Sequence, residues 1–126
     1  MKLLLDTCVF LWLITGERRL SERVSSSVAT GELWLSAASV WEIAVKYANG
    51  TLRLPVPPDR LVSAARDRYA ISTLSIEDES ALHVVKLPDL HSDPFDRMLV
   101  SQAIVHGLTI VTPDPLVTQY PARTMW

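Results

Sequence analysis

Basic charge is scarce in this chain: 12 Lys and Arg face 14 Asp and Glu, for a formal charge of −2. General nucleic-acid binders are normally basic, so a nucleic-acid function here has to come from a local site, not from the overall field. Cysteine is nearly absent. Cys8 alone excludes an internal disulfide and any multi-cysteine zinc site, and makes a cytoplasmic placement the default expectation. Long apolar runs are missing too. Met1 to Ile14 comes nearest, but Asp6 interrupts it, Lys2 is its only basic residue, and no small-residue cleavage site precedes Glu17-Arg18-Arg19. It falls short of the roughly 18 unbroken apolar residues of a membrane span, so neither export nor membrane insertion is expected. There is no internal repeat, linker, low-complexity tract, glycine-rich phosphate loop or Ser-His-Asp spacing. What remains is a 126-residue chain that is 48% hydrophobic and 21% charged. That is one globular domain over residues 1–126, since two halves would each be too small to bury a core.

Short apolar runs alternate with helical patterns. Strands are expected at Lys2 to Leu5, Leu33 to Leu35, Ile71 to Leu74 and Leu108 to Val111, with a last edge strand in the tail. Helices are expected at Val9 to Ile14, at Ser21 to Ala29 with Ser21 as its cap, and at Ser39 to Ala48 with Ser39 as N-cap and Glu42 closing a capping box. Further helices fall at Asp59 to Arg68 after the stiff Leu54-Pro55-Val56-Pro57-Pro58 connector, at Glu77 to Val85, and from Asp93-Pro94 to His106. This alternation predicts an α/β fold with a short-stranded, mostly parallel sheet, which takes ligands at the carboxyl ends of its strands.

Four acids stand at transitions between elements: Asp6, Glu42, Asp96 and Asp114. Each has a bland reading, with Asp6 and Asp114 as helix caps and Glu42 and Asp96 as third-position partners of Ser39 and Asp93. Their convergence is more telling. Asp6 follows the first strand, Glu42 opens the helix after the second, and Asp114 lies past the Leu108 strand. The helix from Phe95 to His106 rises roughly 16 Å, and the strand after Gly107 returns roughly 15 Å. Asp96 therefore reaches the same edge as Asp114. Two such charges about 5 Å apart cost roughly 3 kcal/mol at an effective dielectric near 20, more than the roughly 1 kcal/mol that a cap contributes. A divalent cation cancels the repulsion, and an all-oxygen site suits Mg2+ or Mn2+ better than zinc. Such clusters serve phosphodiester hydrolysis by metal-activated water.

Thr7 and Thr112 neighbour two of the acids and can bond a carboxylate or a metal-bound water, or simply make turns. Arg97 directly follows an acid and is a candidate substrate contact. His91, close to Asp93, reads as a substrate contact or, more simply, as surface loop, His106 as a favourable cation at a helix C-terminus, and Cys8 as a small core residue rather than a nucleophile.

The stretches Leu3-Leu4-Leu5-Asp6-Thr7, Ser36-Ala37-Ala38-Ser39-Val40-Trp41-Glu42-Ile43-Ala44, Asp93-Pro94-Phe95-Asp96-Arg97-Met98-Leu99 and Thr112-Pro113-Asp114 together resemble PIN-domain proteins, in particular the VapC-like toxins of type II toxin–antitoxin pairs. The resemblance covers essentially the whole chain. It implies an α/β/α sandwich, Mg2+- or Mn2+-dependent endoribonuclease activity on RNA, a homodimer, and inhibition by a VapB-like antitoxin. Carried over by position, it makes Asp6 and Asp96 the principal metal ligands, with Glu42 and Asp114 completing the acidic site. Close relatives often have His where this chain has Cys8. On this reading Arg18, Arg19, Arg23, Lys46, Arg53 and Arg97 are candidates for the basic lining of a groove in a dimer, although all but Arg97 read as readily as solvated surface charge, and Trp12 and Leu13 are candidates for the antitoxin's seat or for ordinary core. Two rival readings are a phosphatase or phosphoacceptor domain and a non-catalytic binding module. The first lacks a second acid beside Asp6 and any lysine after Lys86, and the second would be favoured by a missing acid.

Overall fold

A computed structural model describes residues 1–126. Its element order is β1 (Lys2–Leu5), α1 (Thr7–Thr15), α2 (Glu22–Thr30), β2 (Glu32–Ser36), α3 (Ala37–Ala48), α4 (Pro58–Tyr69), β3 (Ser72–Leu74), α5 (Asp78–His83) running into a 3-10 turn at Val84–Lys86, α6 (Pro94–His106), β4 (Thr109–Val111), α7 (Pro115–Thr118) and β5 (Thr124–Met125). The five strands form one sheet in the order β3-β2-β1-β4-β5. Every pairing is parallel, with Leu3 opposite Leu33 and Thr109, Trp34 opposite Ser72, and Val111 opposite Met125.

β1 sits at the centre because Leu3, Leu4 and Leu5 are all fully buried and can face apolar neighbours on both sides of the sheet. Successive side chains of a strand alternate between faces. Leu3 and Leu5 join Val9, Phe10, Val24, Ile43 and Leu61 in one core. Leu4 joins Leu99, Val100, Ala103, Ile110 and Val117 in the other. Helices α1 to α4 thus cover one face, and α6 and α7 the opposite face, giving an α/β/α sandwich. Burial of each β1 leucine is worth about 2–3 kcal/mol.

Turn chemistry sets where the helices stop. Gly107 ends α6 with φ 68°, and its N–H donates to the Ala103 carbonyl, a left-handed position where glycine carries no penalty. Gly31 is required by space: a Cβ there would lie 2.7 Å from the Ser27 carbonyl oxygen and 3.0 Å from Leu3 Cδ1.

One expected cap is displaced. α3 begins at Ala37, capped by Ser36, whose hydroxyl accepts from the Ala38 N–H at 3.0 Å. Ser39 lies inside the helix, 1% exposed, where its hydroxyl accepts from Thr7 Oγ1 at 2.9 Å. With no cap at Ser39, Glu42 has no capping box to close, and its carboxylate is free for other work. The strand after α4 begins one residue later than the pattern suggests, and the turn after β4 opens into the short helix α7. No helix is long and apolar enough to cross a membrane.

Candidate functional site

From β1 the chain proceeds to β2 and β3 on one side and later to β4 and β5 on the other. The β1–β4 junction is therefore the switch point of the sheet, where open α/β folds leave a crevice at the strand ends. A cavity of about 270 Å3 lies there, lined by Asp6, Thr7, Cys8, Glu42, Lys46, Asp93, Asp96 and Asp114 together with Leu11, Ile43 and Leu52. All four predicted acids are on it, and Asp93 makes a fifth.

Local structure places each of them. Asp6 ends β1 and caps α1, accepting from the Thr7 N–H at 2.7 Å through Oδ1, while its Oδ2 accepts from the Thr112 hydroxyl at 2.6 Å. Asp114 caps α7 through the Leu116 N–H at 2.9 Å. The capping reading thus holds for both, and capping aims their carboxylates at the crevice. Asp93, not Asp96, caps α6, its Oδ1 accepting from the N–H groups of Phe95 and Asp96. Asp96 is left in the first turn with its side chain turned to the cavity. Glu42 is 7% exposed. Its Oε2 accepts from Lys46 Nζ at 2.5 Å, one turn along α3, and its Oε1 is buried with no hydrogen-bond partner.

Crowding of like charge shows in the proton affinities. Burial raises the Asp6 carboxyl above its ordinary value against the lowering hydrogen bonds of Thr112 and Thr7, and the charges of Asp114 and Glu42 raise it further. Burial also lifts Asp96 to about 6, against the His91 hydrogen bond, with Asp93, Asp6 and Glu42 adding to the rise. The Cys8 thiol is pushed up to about 12, first by burial and then by Asp6. It is therefore protonated at neutral pH and unfit as a nucleophile. Lys46 is held protonated, chiefly by its hydrogen bond to Glu42 and also by the charges of Glu42, Asp93 and Asp96.

The secondary candidates divide. Thr112 is fully buried and bonded to Asp6 on one side and to the Asp114 N–H on the other, joining two of the acids. Thr7 lines the cavity but spends its hydroxyl hydrogen on Ser39. Arg97 does not line it: its guanidinium donates to the Pro88 and Val84 carbonyls and to the Tyr120 hydroxyl, which leaves it as a strut behind the site rather than a substrate contact. Arg18 stacks on Trp12 and Trp126 with its guanidinium carbon 4.6 and 5.3 Å from the ring centres.

Two residues at the site carried other readings in the sequence, Lys46 as lining of a basic groove and His91 as a substrate contact or surface loop. Lys46 follows Glu42 by four residues, a spacing that pairs opposite charges on any helix, and that was the available signal. His91 sits in the loop before α6, yet its side chain is only 12% exposed, with Nε2 3.2 Å from Asp96 Oδ2. Its closeness to Asp93 in the sequence was the one local mark, and that does not point to Asp96.

An oxygen-only donor set, a buried carboxylate oxygen with no partner and two carboxyls raised by burial and mutual repulsion together fit a hard divalent cation. As the side chains stand, no three of them close on one point as a finished ligand shell. Each carboxylate is engaged by a protein donor instead: Asp6 by Thr112, Glu42 by Lys46, Asp96 by His91 and Asp114 by the α7 backbone.

The family model described as PIN domain matches residues 3–121. Ribonuclease VapC22 of Mycobacterium tuberculosis (strain ATCC 25618 / H37Rv) is 30% identical over 113 residues, spanning 88% of this chain and 85% of that protein. Among solved structures, VapBC2 from Rickettsia felis bound to a promoter DNA fragment superposes with a TM-score of 0.75 over 99% of this chain and 98% of that one, at 14% identity. FitAcB from Neisseria gonorrhoeae gives a TM-score of 0.70 over 98% and 96%, at 18% identity. At those identities the structural likeness speaks for the fold, while the family match and the 30% relative speak for descent. The chain belongs to the PIN-domain family, in its VapC-like branch.

Proposed function

We propose that this chain is a divalent-metal-dependent endoribonuclease, a single PIN domain that acts as the toxin of a type II toxin–antitoxin pair. The observation that carries the reading is the cavity that Asp6, Glu42, Asp96 and Asp114 line together at the sheet's switch point. The kinship with a protein named Ribonuclease VapC22 supports it.

Asp6 and Asp96 would hold the cation, Mg2+ with Mn2+ as a substitute, and Glu42 and Asp114 would complete the acidic shell. When bound, the cation lowers the pKa of the attacking water and steadies the leaving oxygen of the phosphodiester. The chain's own residues set up that chemistry. The Thr112 hydroxyl fixes the rotation of the Asp6 carboxylate and through the Asp114 N–H keeps the two acids in register. Lys46, with 46% of its side chain exposed, covers part of the negative charge and offers an ammonium to an incoming phosphate. The helix starts of α1 and α6 place the positive ends of two dipoles beside the carboxylates. This local arrangement, not the global charge of −2, lets an acidic protein handle RNA.

Two surfaces fit the proposed partners. On α3, Trp41 is 60% exposed, lies a turn from exposed Val45, and meets Phe95 edge-on at 5.0 Å, which suits burial against a second copy in a homodimer. A groove of about 800 Å3 between α1 and α2 is lined by Trp12, Leu13, Leu20, Arg18, Arg19 and Trp126 among others. Trp12 and Leu13 pack against the core and also floor this groove, so both readings of these residues apply. It is the proposed seat of a VapB-like antitoxin; the VapBC and FitAB complexes among the structural neighbours support a partner of that kind.

The test is cleavage of a defined single-stranded RNA by purified chain. Activity is expected with Mg2+ or Mn2+, none in EDTA, recovery on restoring metal, and none from Asp6→Asn. Undiminished cleavage in EDTA by wild type, absent from Asp6→Asn preparations, would overturn the metal mechanism.

A further inference from the structure

Behind Asp96 lies an unbroken chain of hydrogen bonds that reaches back into the second core. Arg97 Nη1 is 3.0 Å from the Tyr120 hydroxyl, that hydroxyl is 2.6 Å from His91 Nδ1, and His91 Nε2 is 3.2 Å from Asp96 Oδ2. Both ends determine its direction. A guanidinium only donates and a carboxylate only accepts. The Tyr120 oxygen therefore accepts from Arg97, and its single hydrogen, which has no other acceptor, goes to Nδ1. The ring is then the neutral tautomer with its hydrogen on Nε2, donated to Asp96. Had Nδ1 carried a hydrogen as well, the phenol hydrogen would be stranded in a side chain that is 3% exposed.

Each link is braced. Tyr120 packs among Leu99, Leu108 and Val117. Arg97 also holds the Pro88 carbonyl at 2.9 Å and the Val84 carbonyl at 3.3 Å, clamping the start of the loop that carries His91. His91 joins that loop to the segment after α7, the helix whose cap is Asp114.

We propose that His91, backed by Tyr120 and Arg97, is the positioning residue of the metal site: it engages Oδ2 of Asp96 and so fixes the rotation of the carboxylate that would hold the cation. The inference rests on the reading of Asp96 as a ligand. Ligand carboxylates held by an outer hydrogen-bonding partner bind metal more tightly, because the partner fixes their rotation before the metal arrives, and loss of such partners typically weakens affinity on the order of 10- to 100-fold. Nothing in the helical pattern of α6 announces this role, since His91, Tyr120 and Arg97 come from three separate segments.

The experiment is calorimetric titration of the whole purified chain with Mn2+ alone, beside far-ultraviolet circular dichroism and a thermal melt in EDTA. His91→Ala is expected to weaken Mn2+ binding on the order of 10-fold or more. His91→Gln, which restores a donor near Nε2, is expected to recover most of the loss. Tyr120→Phe is expected to weaken binding several-fold in the wild-type background and not at all in the His91→Ala background, because it acts through the imidazole. Independent structural damage would give additive losses and no recovery with Gln. Should His91→Ala fail to fold, the Gln and Phe variants carry the same comparison. Wild-type Mn2+ affinity in His91→Ala, with binding lost in Asp96→Asn, would overturn the positioning role and leave the metal site standing. Wild-type affinity in Asp96→Asn would overturn both.

Discussion

Asp96→Asn is expected to make the metal-free protein more stable at neutral pH while removing its response to metal. The carboxyl is lifted from 3.8 to about 6, first by burial, then by the charges of Asp93, Asp6 and Glu42, against the lowering hydrogen bond from His91. At about 1.4 kcal/mol per tenfold change in proton affinity, that displacement corresponds to about 3 kcal/mol. Water at the cavity mouth screens part of it, leaving about 1–2 kcal/mol. The sign follows from which form the fold disfavours. A carboxyl whose folded pKa is raised destabilises the fold when ionised, so the penalty is full above pH 6 and fades as the pH falls toward 3.8. Asparagine removes the charge and still offers His91 an oxygen. Urea unfolding in EDTA should therefore show the variant ahead by about 1–2 kcal/mol at pH 7.5, with a melting temperature several degrees higher, and the gap should shrink to about a third of that at pH 4.5 and close only below the ordinary carboxyl value of 3.8. Mg2+ should then raise the melting temperature of wild type and leave the variant where it was. An Asp96→Asn protein that is less stable than wild type in EDTA at pH 7.5, or that gains as much from Mg2+, would refute the reasoning.

Lys46→Met should lower the melting temperature in EDTA, since Glu42 loses its only donor, and should enlarge the rise on adding Mg2+ because the tethered ammonium no longer competes for Glu42; an unchanged response to metal would separate Lys46 from the site. Ser36→Ala should cost about 2–3 kcal/mol in urea unfolding, combining a lost cap with a stranded partner, because the fully buried Ser36 hydroxyl both caps α3 and donates to Gln102 Oε1 at 2.6 Å. Expression alone should arrest growth, and co-expression with the neighbouring gene should relieve the arrest and yield a complex on purification; harmless expression of soluble wild-type chain would remove the toxin reading while leaving a metal nuclease.

Several features were open to view in the amino-acid order because the forces behind them are local or periodic. Three consecutive leucines before Asp6 mark a strand buried on both faces, and Leu3, Leu4 and Leu5 are at the centre of the sheet. The Ser21, Asp93 and Gly107 caps satisfy backbone groups within a few residues, so they read directly. Helix rise against strand rise was enough to bring Asp96 to the level of Asp114, and both line one cavity.

Other features depend on partners far away along the chain. Ser36 outcompetes Ser39 as the α3 cap because β2 runs straight into the helix, and Ser36 is further tied to Gln102, 66 residues on. Local propensity treats the two serines alike, and only the buried contact of Ser39 with Thr7 tells them apart. Arg97 adjoins an acid in sequence, but α6 turns successive residues about 100° apart, so its guanidinium goes to Tyr120 and the Pro88 loop while Asp96 faces the cavity. His91 reads as a surface loop residue until Tyr120 and Asp96 close over it. The sequence by itself determined the α/β class, the mostly parallel sheet and the edge at which the acids gather, since burial periodicity and element length carry that information, while the layers came only from the family resemblance. Tertiary structure alone decided that Thr112 engages Asp6 and that His91, backed by Tyr120, engages Asp96, because those bonds join residues that meet only when separate elements pack.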